Sequence, residues 1–435
     1  MKDCYWLNRN QGTWEILQGN IGIEGNYIRF ATSGSVQPPH DWQAEQIIDG
    51  YNKLVTPGFV NSHTHAAMAL FRGFADDLTL ERWLKERIWP VEELLTPEDI
   101  YWGSKLAILE MIKNGCTAFA DMYFFMDEVA RAVSEAGIRA SLSQGMTALK
   151  LVDGWVSLRR AKAFALNWKG DANGRISVML GPHALYTCPP SFLAKVAEVA
   201  AELQVGVHVH VAETLAEVHS AVESYGKSPV AVLEEVGLLD LPLLAAHCVH
   251  LAGNDLNLLA AKPNVHVVHN PKSNMKLASG ICPVATLLER KINVALGTDG
   301  AGSNNSLDLL EEARVAALLQ KVSVGDARVL PAEQSLDLLT INGAKALGLG
   351  GEIGLIKPGY RADLVLLNID QPHFYPRHSL VSHLIYTARG SDVDTTIVDG
   401  QVVMQGRSLT TIDEEEVFWH AQQVRKRMVD ATGVY

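Results

Sequence analysis

The stretch LVTPGFVNSHTH, residues 54–65, joins an apolar run to two histidines and decides how the rest of the chain is interpreted. The run starts at Leu54, is interrupted at Pro57-Gly58 and has the character of a buried strand. Side chains alternate along a strand, so His63 and His65 would share one face at its end. Two such imidazoles are half of a metal site, although two buried, hydrogen-bonded histidines would give the same pattern.

The composition excludes several classes of function. The chain has 435 residues, of which 48% are hydrophobic, and a net charge of −12. That is ample for a large core and argues against nucleic acid or an anionic membrane as a partner. Five scattered cysteines without a CxxC pair predict reduced thiols in a cytoplasmic protein. No apolar run has the length of a signal peptide core or a membrane span, and a homo-oligomer is left open.

Both ends of the chain have the pattern of a small antiparallel sheet. Short alternating segments, Gln46–Ile48 among them, fill residues 1–57, and similar segments return in residues 359–412. Asp399-Gly400 predicts a hairpin turn there. We expect one composite β-sandwich domain from these two ends and a closing amphipathic helix over residues 413–435.

The middle of the chain, residues 58–358, alternates apolar strands with helical patterns. After the opening strand, strands are expected at Thr117–Ala120, Ile138–Leu142, Ile176–Leu180, Val205–Val211, Leu243–Ala246, Val265–Val268 and Ile292–Leu296. Helices are expected at Pro97–Asn114, Phe125–Ala136, Pro190–Leu203, Leu215–Tyr225 and Pro283–Lys291. This order predicts an α/β fold, a (β/α)8 TIM-like barrel. A doubly wound sheet is the alternative, but no GxGxxG follows the first strand.

The ends of the predicted barrel strands carry residues that bind metals, and barrel enzymes place their chemistry at those ends. The fifth strand, VGVHVHVAET, has His208 and His210 on one face; His210 lies nearer the end, so we expect it to be the ligand and His208 a structural residue. The sixth strand, LLAAHCVH, delivers His247. The eighth, INVALGTDG, ends in Asp299, whose burial without a partner would cost several kcal/mol.

Together these strand ends predict one divalent metal ion. Three neutral imidazoles and a carboxylate favour zinc, with iron and manganese as alternatives. The fourth strand ends in GPHALYTC, without a lysine that could be carbamylated to bridge two ions, which favours a mononuclear site. Each residue singly could be structural, but ligands at four strand ends favour a shared ion.

The motifs PGFVNSHTH, GPHALYTCPP, HVHVAET, AAHCVHL, HNPKSNMKLASG and GTDG closely resemble those of the amidohydrolase superfamily. Within it the chain looks most like the branch of 5-methylthioadenosine/S-adenosylhomocysteine deaminases, and the resemblance covers essentially the whole chain. It implies a metal-dependent hydrolase whose ligands are His63, His65, His210 and Asp299.

The resemblance also implies hydrolytic deamination, with Glu213, His247 and Asp299 as the catalytic residues. Asp299 would bind the ion and accept a proton from water, and His247 would orient that water. Glu213 would donate a proton to the ring nitrogen and then to the departing ammonia. The competing interpretation of Glu213 is a carboxylate at a helix N-terminus.

Two further residues bear on the substrate. His183 resembles a substrate-contacting histidine of the family. Glu92, in WPVEELLTPED, resembles a glutamate that binds the hydroxyls of a ribose, although alone it could be a solvated charge. Several relatives carry an arginine after the third strand, where this chain has Gln144 in SLSQGMTAL. We therefore expect 5'-methylthioadenosine to be turned over at least as well as S-adenosylhomocysteine.

Three functions remain open from the sequence. The first is a deaminase of the nucleoside 5'-methylthioadenosine, with S-adenosylhomocysteine or adenosine as further substrates. The second is an s-triazine or guanine hydrolase on the same scaffold, which would have no ribose for Glu92. The third is a catalytically inactive barrel that serves in binding or assembly, against which the complete set of ligands and proton-transfer groups argues.

Overall fold

The computed structural model describes residues 1–34, 36 and 38–433, and its strands form two sheets. In chain order the strands are β1 Cys4–Asn10, β2 Thr13–Glu24, β3 Tyr27–Ser33, β4 Lys53–Pro57, β5 Phe59–Thr64, β6 Cys116–Tyr123, β7 Arg139–Met146, β8 Ile176–Pro182, β9 Gly206–Val211, β10 Leu243–His247, β11 Val265–His269, β12 Asn293–Leu296, β13 Leu364–Asn368, β14 Val393–Val398, β15 Gln401–Gln405 and β16 Ser408–Leu409. Strands β5 to β12 are parallel and adjacent in chain order, which confirms the predicted barrel.

The first and last barrel strands, β5 and β12, meet through residues at and beyond their ends. The backbone N–H of Asp299 donates to the carbonyl of His63 at 3.0 Å. The side chain of Asn61 donates to Thr298 Oγ1 at 2.8 Å and accepts from the Thr298 N–H at 3.0 Å. The barrel is therefore closed beside the histidines of the opening motif.

Helices lie between the barrel strands and at the end of the chain. They are Leu80–Arg82, the π-helix Trp83–Ile88, Trp89–Glu92, Pro97–Lys113, Met126–Ala136, Leu151–Trp168, Asp171–Gly174, Pro190–Leu203, Leu215–Tyr225, Pro229–Glu235, Asp255–Ala260, Pro271–Lys276, Val284–Glu289, Ala301–Asn304, Leu309–Val324, Ala332–Leu339, Ile341–Ala346, Leu380–Tyr386 and Glu414–Thr432. Short 3-10 helices span Ala66–Phe71, Leu238–Asp240, Pro372–Phe374 and Gly390–Asp392. Within the described ranges, none of the helices has the length and apolar character needed to cross a membrane.

The second sheet combines both ends of the chain, in the order β16-β15-β14-β13-β4-β1-β2-β3. Asp399 and Gly400 have φ values of 51° and 80°, the pair of positive angles that a two-residue hairpin turn requires. The expectation of a strand at Gln46–Ile48 is wrong. Ile47 is exposed there, so the apolar alternation is too short to bury one face. The Ile48 carbonyl accepts from the Lys2 N–H at 3.1 Å, and the next residue, Asp49, forms an isolated bridge with Lys2.

The interruption at Pro57-Gly58 marks the passage from one sheet to the other. Strand β4 pairs with β1 and β13 in the terminal sheet, whereas β5 begins the barrel. A Cβ at residue 58 would lie 2.0 Å from Thr117 Oγ1, so only glycine fits. The closing helix, Glu414–Thr432, packs against Pro97–Lys113; Val434 and Tyr435, at the end of the predicted helix, lie outside the described residues.

A buried ionic cluster joins the barrel to the terminal sheet. Arg139, at the start of β7, is 2% exposed and donates to both oxygens of Asp363, at 3.0 and 3.1 Å, and to Asp399 at 3.1 Å. Arg361 donates to the same oxygen of Asp399 at 2.9 Å. Burial alone would lower the pKa of Arg139, but the two carboxylates raise it, so the guanidinium is charged.

Replacing this buried cation gives a test of the contact between the sheets. Arg139→Ala would leave Asp363 and Asp399 buried without their main partner, so we expect the free energy of unfolding in urea to fall by about 3–5 kcal/mol. The control is Arg328→Ala, which removes an ion pair between Asp326 and a guanidinium that is 91% exposed and should leave the urea midpoint unchanged. Equal midpoints for both variants would contradict a structural role of the cluster.

Candidate metal centre and active site

Four side chains place ligand atoms together at the C-terminal end of the barrel. His63 and His65 stand at the end of β5, His210 stands near the end of β9, and Asp299 follows β12. His65 Nε2 lies 3.3 Å from His210 Nε2 and 3.3 Å from Asp299 Oδ1. His63 Nε2 lies 3.4 Å from the same carboxylate oxygen. Among the described residues, two sets of ligand atoms that all lie within 4.8 Å of one another overlap at His63: one set is His63, His65 and Asp299, and the other is His63, His210 and His247.

Backbone carbonyls fix the tautomers of two of these histidines. His65 Nδ1 lies 2.6 Å from the carbonyl of Met122, and His210 Nδ1 lies 2.7 Å from that of His183. A carbonyl can only accept, so each Nδ1 carries the proton and each Nε2 keeps a free lone pair. That is the tautomer in which an imidazole binds a metal through Nε2.

His63 is oriented by a histidine of β9, on the opposite side of the barrel, rather than by a carbonyl. His63 Nδ1 and His208 Nε2 share a hydrogen bond of 2.7 Å. This contact gives His208 a structural role, as expected from the sequence. Burial lowers the pKa of His63 to about 4 and that of His208 well below its ordinary value, so both rings are neutral at pH 7. His63 Nε2 is buried and, among the described residues, makes no hydrogen bond.

The two carboxylate oxygens of Asp299 have different partners. Oδ2 accepts from the hydroxyls of Ser273 and Ser303, at 2.6 and 2.9 Å, while Oδ1 accepts from the Gly300 N–H at 2.8 Å and faces the histidines. Burial alone would raise the pKa of Asp299, but the surrounding histidines hold it well below its usual range. The carboxylate is therefore ionised and presents Oδ1 to the cluster.

The donor set fits one divalent metal ion. Three of the separations, His65 to His210, His65 to Asp299 and His63 to Asp299, are 3.3 to 3.4 Å, so these atoms are close enough to bind one ion. The Nε2 of His63, which makes no hydrogen bond among the described residues, and the tautomers of the other rings also suit a metal ion.

His247 and Glu213 face each other beside this centre, and both are buried. His247 Nδ1 lies 2.7 Å from Asn274 Oδ1, and its Nε2 lies 3.8 Å from Glu213 Oε2, too far for a hydrogen bond. Burial lowers the pKa of His247, but Glu213 and Asp299 outweigh it and the net pKa is raised.

Glu213 has the environment of a proton donor. It is 3% exposed, and burial raises the pKa of its carboxyl, with His247 in part opposing the rise. The competing interpretation, a carboxylate at the helix N-terminus, does not fit the geometry. The N-cap of the helix Leu215–Tyr225 is Thr214, whose hydroxyl accepts from the N–H of Glu217.

At the ends of three barrel strands, a residue at or next to the site has a left-handed backbone conformation. Ala212 has φ 49°, His247 has φ 73° and Asp299 has φ 60°. Residues other than glycine rarely adopt such angles, and they cluster at functional sites where the surrounding structure holds them. Each turn changes the chain direction at or next to a residue of the site.

The pocket above the metal centre is covered by residues 80–92, which we term the roof segment. The pocket is lined mainly by apolar and aromatic side chains together with the site residues: His65, Met68, Leu80, Trp83, Leu84, Ile88, Trp89, Glu92, Met122, Tyr123, Phe124, Gly145, Met146, Thr147, His183, Tyr186, His210, Glu213, His247, Leu277 and Asp299. Among these described residues there is no lysine or arginine. The pocket therefore suits a largely apolar molecule more than an anion.

Both predicted substrate residues lie in this pocket. Glu92 accepts a 2.6 Å hydrogen bond from the hydroxyl of Tyr123, and burial raises its pKa, so it is not a solvated surface charge. His183 is held by Thr187 at 3.0 Å, and burial lowers its pKa to about 3. Gln144 does not line the pocket; its amide contacts the backbone of Met126 and Gly145.

The sequence analysis missed the residues that hold the site residues in place. Tyr123 orients Glu92, Asn274 orients His247, and Ser273 and Ser303 bind Asp299. Ser273 and Asn274 lie in HNPKSN, which begins at the end of β11. Their position at a strand end was the signal available, but a hydroxyl and an amide carry no metal-binding or proton-transfer pattern.

Comparison with known proteins gives a consistent picture. The model of the amidohydrolase family matches residues 54–403. A 5-methylthioadenosine/S-adenosylhomocysteine deaminase of Desulforudis audaxviator is 51% identical over 414 residues, which are 95% of each chain. A protein of the same name from Moorella thermoacetica is 53% identical over 414 residues, again 95% of each chain.

Solved structures share the whole architecture. A crystal structure described as an adenosine deaminase from Xanthomonas campestris with bound zinc has a TM-score of 0.91 and 34% identity, and 99% of each chain is covered. An atrazine chlorohydrolase from Arthrobacter aurescens complexed with zinc has a TM-score of 0.88 and 22% identity, covering 98% of this chain and 99% of that one. At this lower identity the likeness shows the fold alone.

Metal content tests the centre directly. The purified protein should hold about one divalent ion per chain, and His210→Ala should lose the ion yet keep its circular dichroism spectrum, because one of four ligands is gone. The matched control is His219→Ala, a histidine on the helix after β9 that lies outside the cluster and should retain the ion. Two ions per chain would contradict the mononuclear site, and an ion retained by His210→Ala would contradict His210 as a ligand.

Proposed function

This chain belongs to the amidohydrolase family, and we propose that it is a metal-dependent hydrolytic deaminase that converts 5'-methylthioadenosine into the inosine-type nucleoside and ammonia. S-adenosylhomocysteine and adenosine are further substrates in this proposal. The observation that carries it is the position of Glu92, which lines the same pocket as the metal ligands and the proton-transfer pair. A carboxylate there can bind the two hydroxyls of a ribose while the purine ring faces Glu213.

We assign the metal ligands as His63, His65, His210 and Asp299. When bound, the divalent ion supplies acidified water, since it lowers the pKa of water that it binds from 15.7 to about 7. Zinc is the ion that we propose, because three imidazoles and one carboxylate suit it and the structure at 34% identity is described with bound zinc.

Three residues of the chain move or hold protons in this proposal. Asp299 accepts a proton from the attacking water, whose oxygen bonds to the ring carbon that bears the amino group. His247 orients that water. Glu213, in its acid form, gives a proton to the adjacent ring nitrogen. The resulting carboxylate takes the remaining proton of the added oxygen and passes it to the amino group, which leaves as ammonia as the carbon–nitrogen bond breaks and the C=O bond forms; the proton held by Asp299 then restores the acid form of Glu213.

Glu92 and His183 hold the substrate. One oxygen of Glu92 accepts from Tyr123, and an ionised carboxylate has about four acceptor sites, so the pair of ribose hydroxyls still finds acceptors. His183 is neutral and lies against His210, with ring centroids 4.8 Å apart, so it offers a hydrogen bond to the base rather than a charge. A cytoplasmic location and a homo-oligomeric state stay predictions from the sequence.

A triazine or guanine hydrolase is the weaker alternative. Neither substrate has a ribose, so the acceptor sites of Glu92 that Tyr123 does not use would have no substrate hydroxyl to bind. A catalytically inactive barrel would not need the raised pKa of Glu213 beside a complete ligand set.

Removing the proposed proton donor should slow the chemistry without changing the metal centre. Glu213→Gln keeps the size and one hydrogen-bonding oxygen of the side chain but cannot transfer a proton, a step typically worth about 10²–10⁴-fold. We expect kcat to fall by that factor while the metal content and KM stay close to wild type. A turnover within a few fold of wild type would assign the proton transfer to another group, with His247 first.

A substrate panel tests the function itself, with ammonia release as the measurement. 5'-Methylthioadenosine should be deaminated at least as well as S-adenosylhomocysteine, because no cation lines the described pocket, and guanine and triazines should be poor substrates. The 2'-deoxy analogue should lose about tenfold or more in kcat/KM, since hydrogen bonds to a charged group contribute about 1.5–3 kcal/mol. Glu92→Ala should abolish this discrimination, whereas the exposed neighbour variant Glu93→Ala should keep it.

A preference of the wild type for guanine or a triazine would overturn the proposed function. If Glu92→Ala instead discriminated between the ribosides as the wild type does, Glu92 would not bind the ribose.

A further inference from the structure

Glu217 is a buried carboxylate that the proposed chemistry does not use. It lies in the first turn of the helix Leu215–Tyr225, is 6% exposed and is absent from the residues that line the pocket. Its Oε1 accepts from the backbone N–H of Ala212 at 3.0 Å, and its Oε2 accepts from that of Glu213 at 2.8 Å. Both oxygens thus bind the turn that carries the proton donor.

That turn is short and conformationally unfavourable. Only Val211 and Ala212 separate the metal ligand His210 from Glu213, and Ala212 has a φ of 49°, which an alanine rarely adopts. On its far side the Ala212 carbonyl accepts from the N–H groups of Val249 and His250, at 3.1 and 2.9 Å. Glu217 binds the N–H groups of Ala212 and Glu213 on the side of its own helix. The peptide group between Ala212 and Glu213 is therefore held by hydrogen bonds on both sides.

The contact is different from ordinary helix capping. In a capping box, the acidic residue of the first turn bonds the N–H of the N-cap residue itself. Here the N-cap is Thr214, and Glu217 reaches past it to the two preceding residues. Burial raises the pKa of Glu217 to about 7, with Glu213 adding to the rise and the two backbone N–H groups opposing it.

We propose that Glu217 is a positioning residue that fixes the side chain of Glu213 toward His247 by holding both backbone N–H groups of the turn after β9. The inference rests on the proposed function, because it gives Glu213 the proton transfer. It predicts that Glu217 contributes to catalysis only through Glu213, although it contacts no substrate and no metal ligand.

A double-mutant cycle tests this dependence. Glu217→Ala should lower kcat about 10- to 100-fold while KM and metal content stay within about twofold of wild type, and Glu217→Gln, which keeps one acceptor oxygen, should lose less. In a Glu213→Gln background, Glu217→Ala should change kcat by less than about twofold. The control is Glu223→Gln, an exposed residue of the same helix, which should match wild type. Full additivity of the two losses, or loss of the metal with Glu217→Ala, would overturn the proposal.

Amide hydrogen exchange gives a second measurement that needs no substrate. In the metal-loaded protein, the N–H groups of Ala212 and Glu213 should exchange at least about tenfold faster in Glu217→Ala than in wild type. The N–H of His210, which donates to the His183 carbonyl at 3.0 Å, should be unchanged. Unchanged exchange at Ala212 and Glu213 would overturn the proposal. If Glu217→Ala does not fold, Glu217→Gln takes its place, with faster exchange expected at one of the two amides.

The two measurements also separate the inference from the proposed function. A wild-type protein that deaminates no nucleoside would refute the function, whereas hydrogen exchange would still decide whether Glu217 holds the turn. Conversely, suppose that the enzyme is active and that the amides of Ala212 and Glu213 exchange at the same rate in wild type and in Glu217→Ala. That result would refute only the inference.

Discussion

The contacts that close the barrel also bring Asp299 to the histidines of the metal centre. The N–H of Asp299 donates to the carbonyl of His63, and the hydroxyl of Thr64 donates back to the carbonyl of Asp299, each at 3.0 Å. A Cβ at Gly297 would lie 2.8 Å from the His63 carbonyl, so the eighth strand can approach the first only with a glycine there. The last ligand reaches the first two because the barrel closes, and any shift of this seam would separate them.

Around that seam, the protein sets the charge of each group through its neighbours. The imidazole of His63 is kept neutral by burial, while Asp299 is kept ionised by the histidines. Glu213, which faces His247 beside the metal centre, has its pKa raised by burial. Two carboxyl groups whose pKa values are shifted in opposite directions are suited to opposite tasks, one to accept a proton and one to donate it.

The sequence predicted the parts of the site that follow from local pattern. Alternation along β5 and β9 placed His63, His65 and His210, and the barrel rule placed Asp299, because strand ends of a parallel barrel meet at one face. The barrel helices were predicted in the same way, with Pro190–Leu203 and Leu215–Tyr225 beginning and ending at the expected residues. Leu151–Trp168 was not predicted, and Gln46–Ile48 was wrongly assigned to a strand.

What the sequence did not predict depends on pairs of residues far apart in the chain. Tyr123 meets Glu92 only because the roof segment folds over β6, and Ser303 meets Ser273 only because β11 and β12 are neighbours. The two parts of the pocket are therefore determined differently. The metal centre is fixed by the seam of the barrel, whereas Glu92, which would contact the rest of a substrate, comes from the roof segment and can change without moving a ligand. That division explains physically why one fold, shared at 22% identity with an atrazine chlorohydrolase, does not by itself identify the substrate.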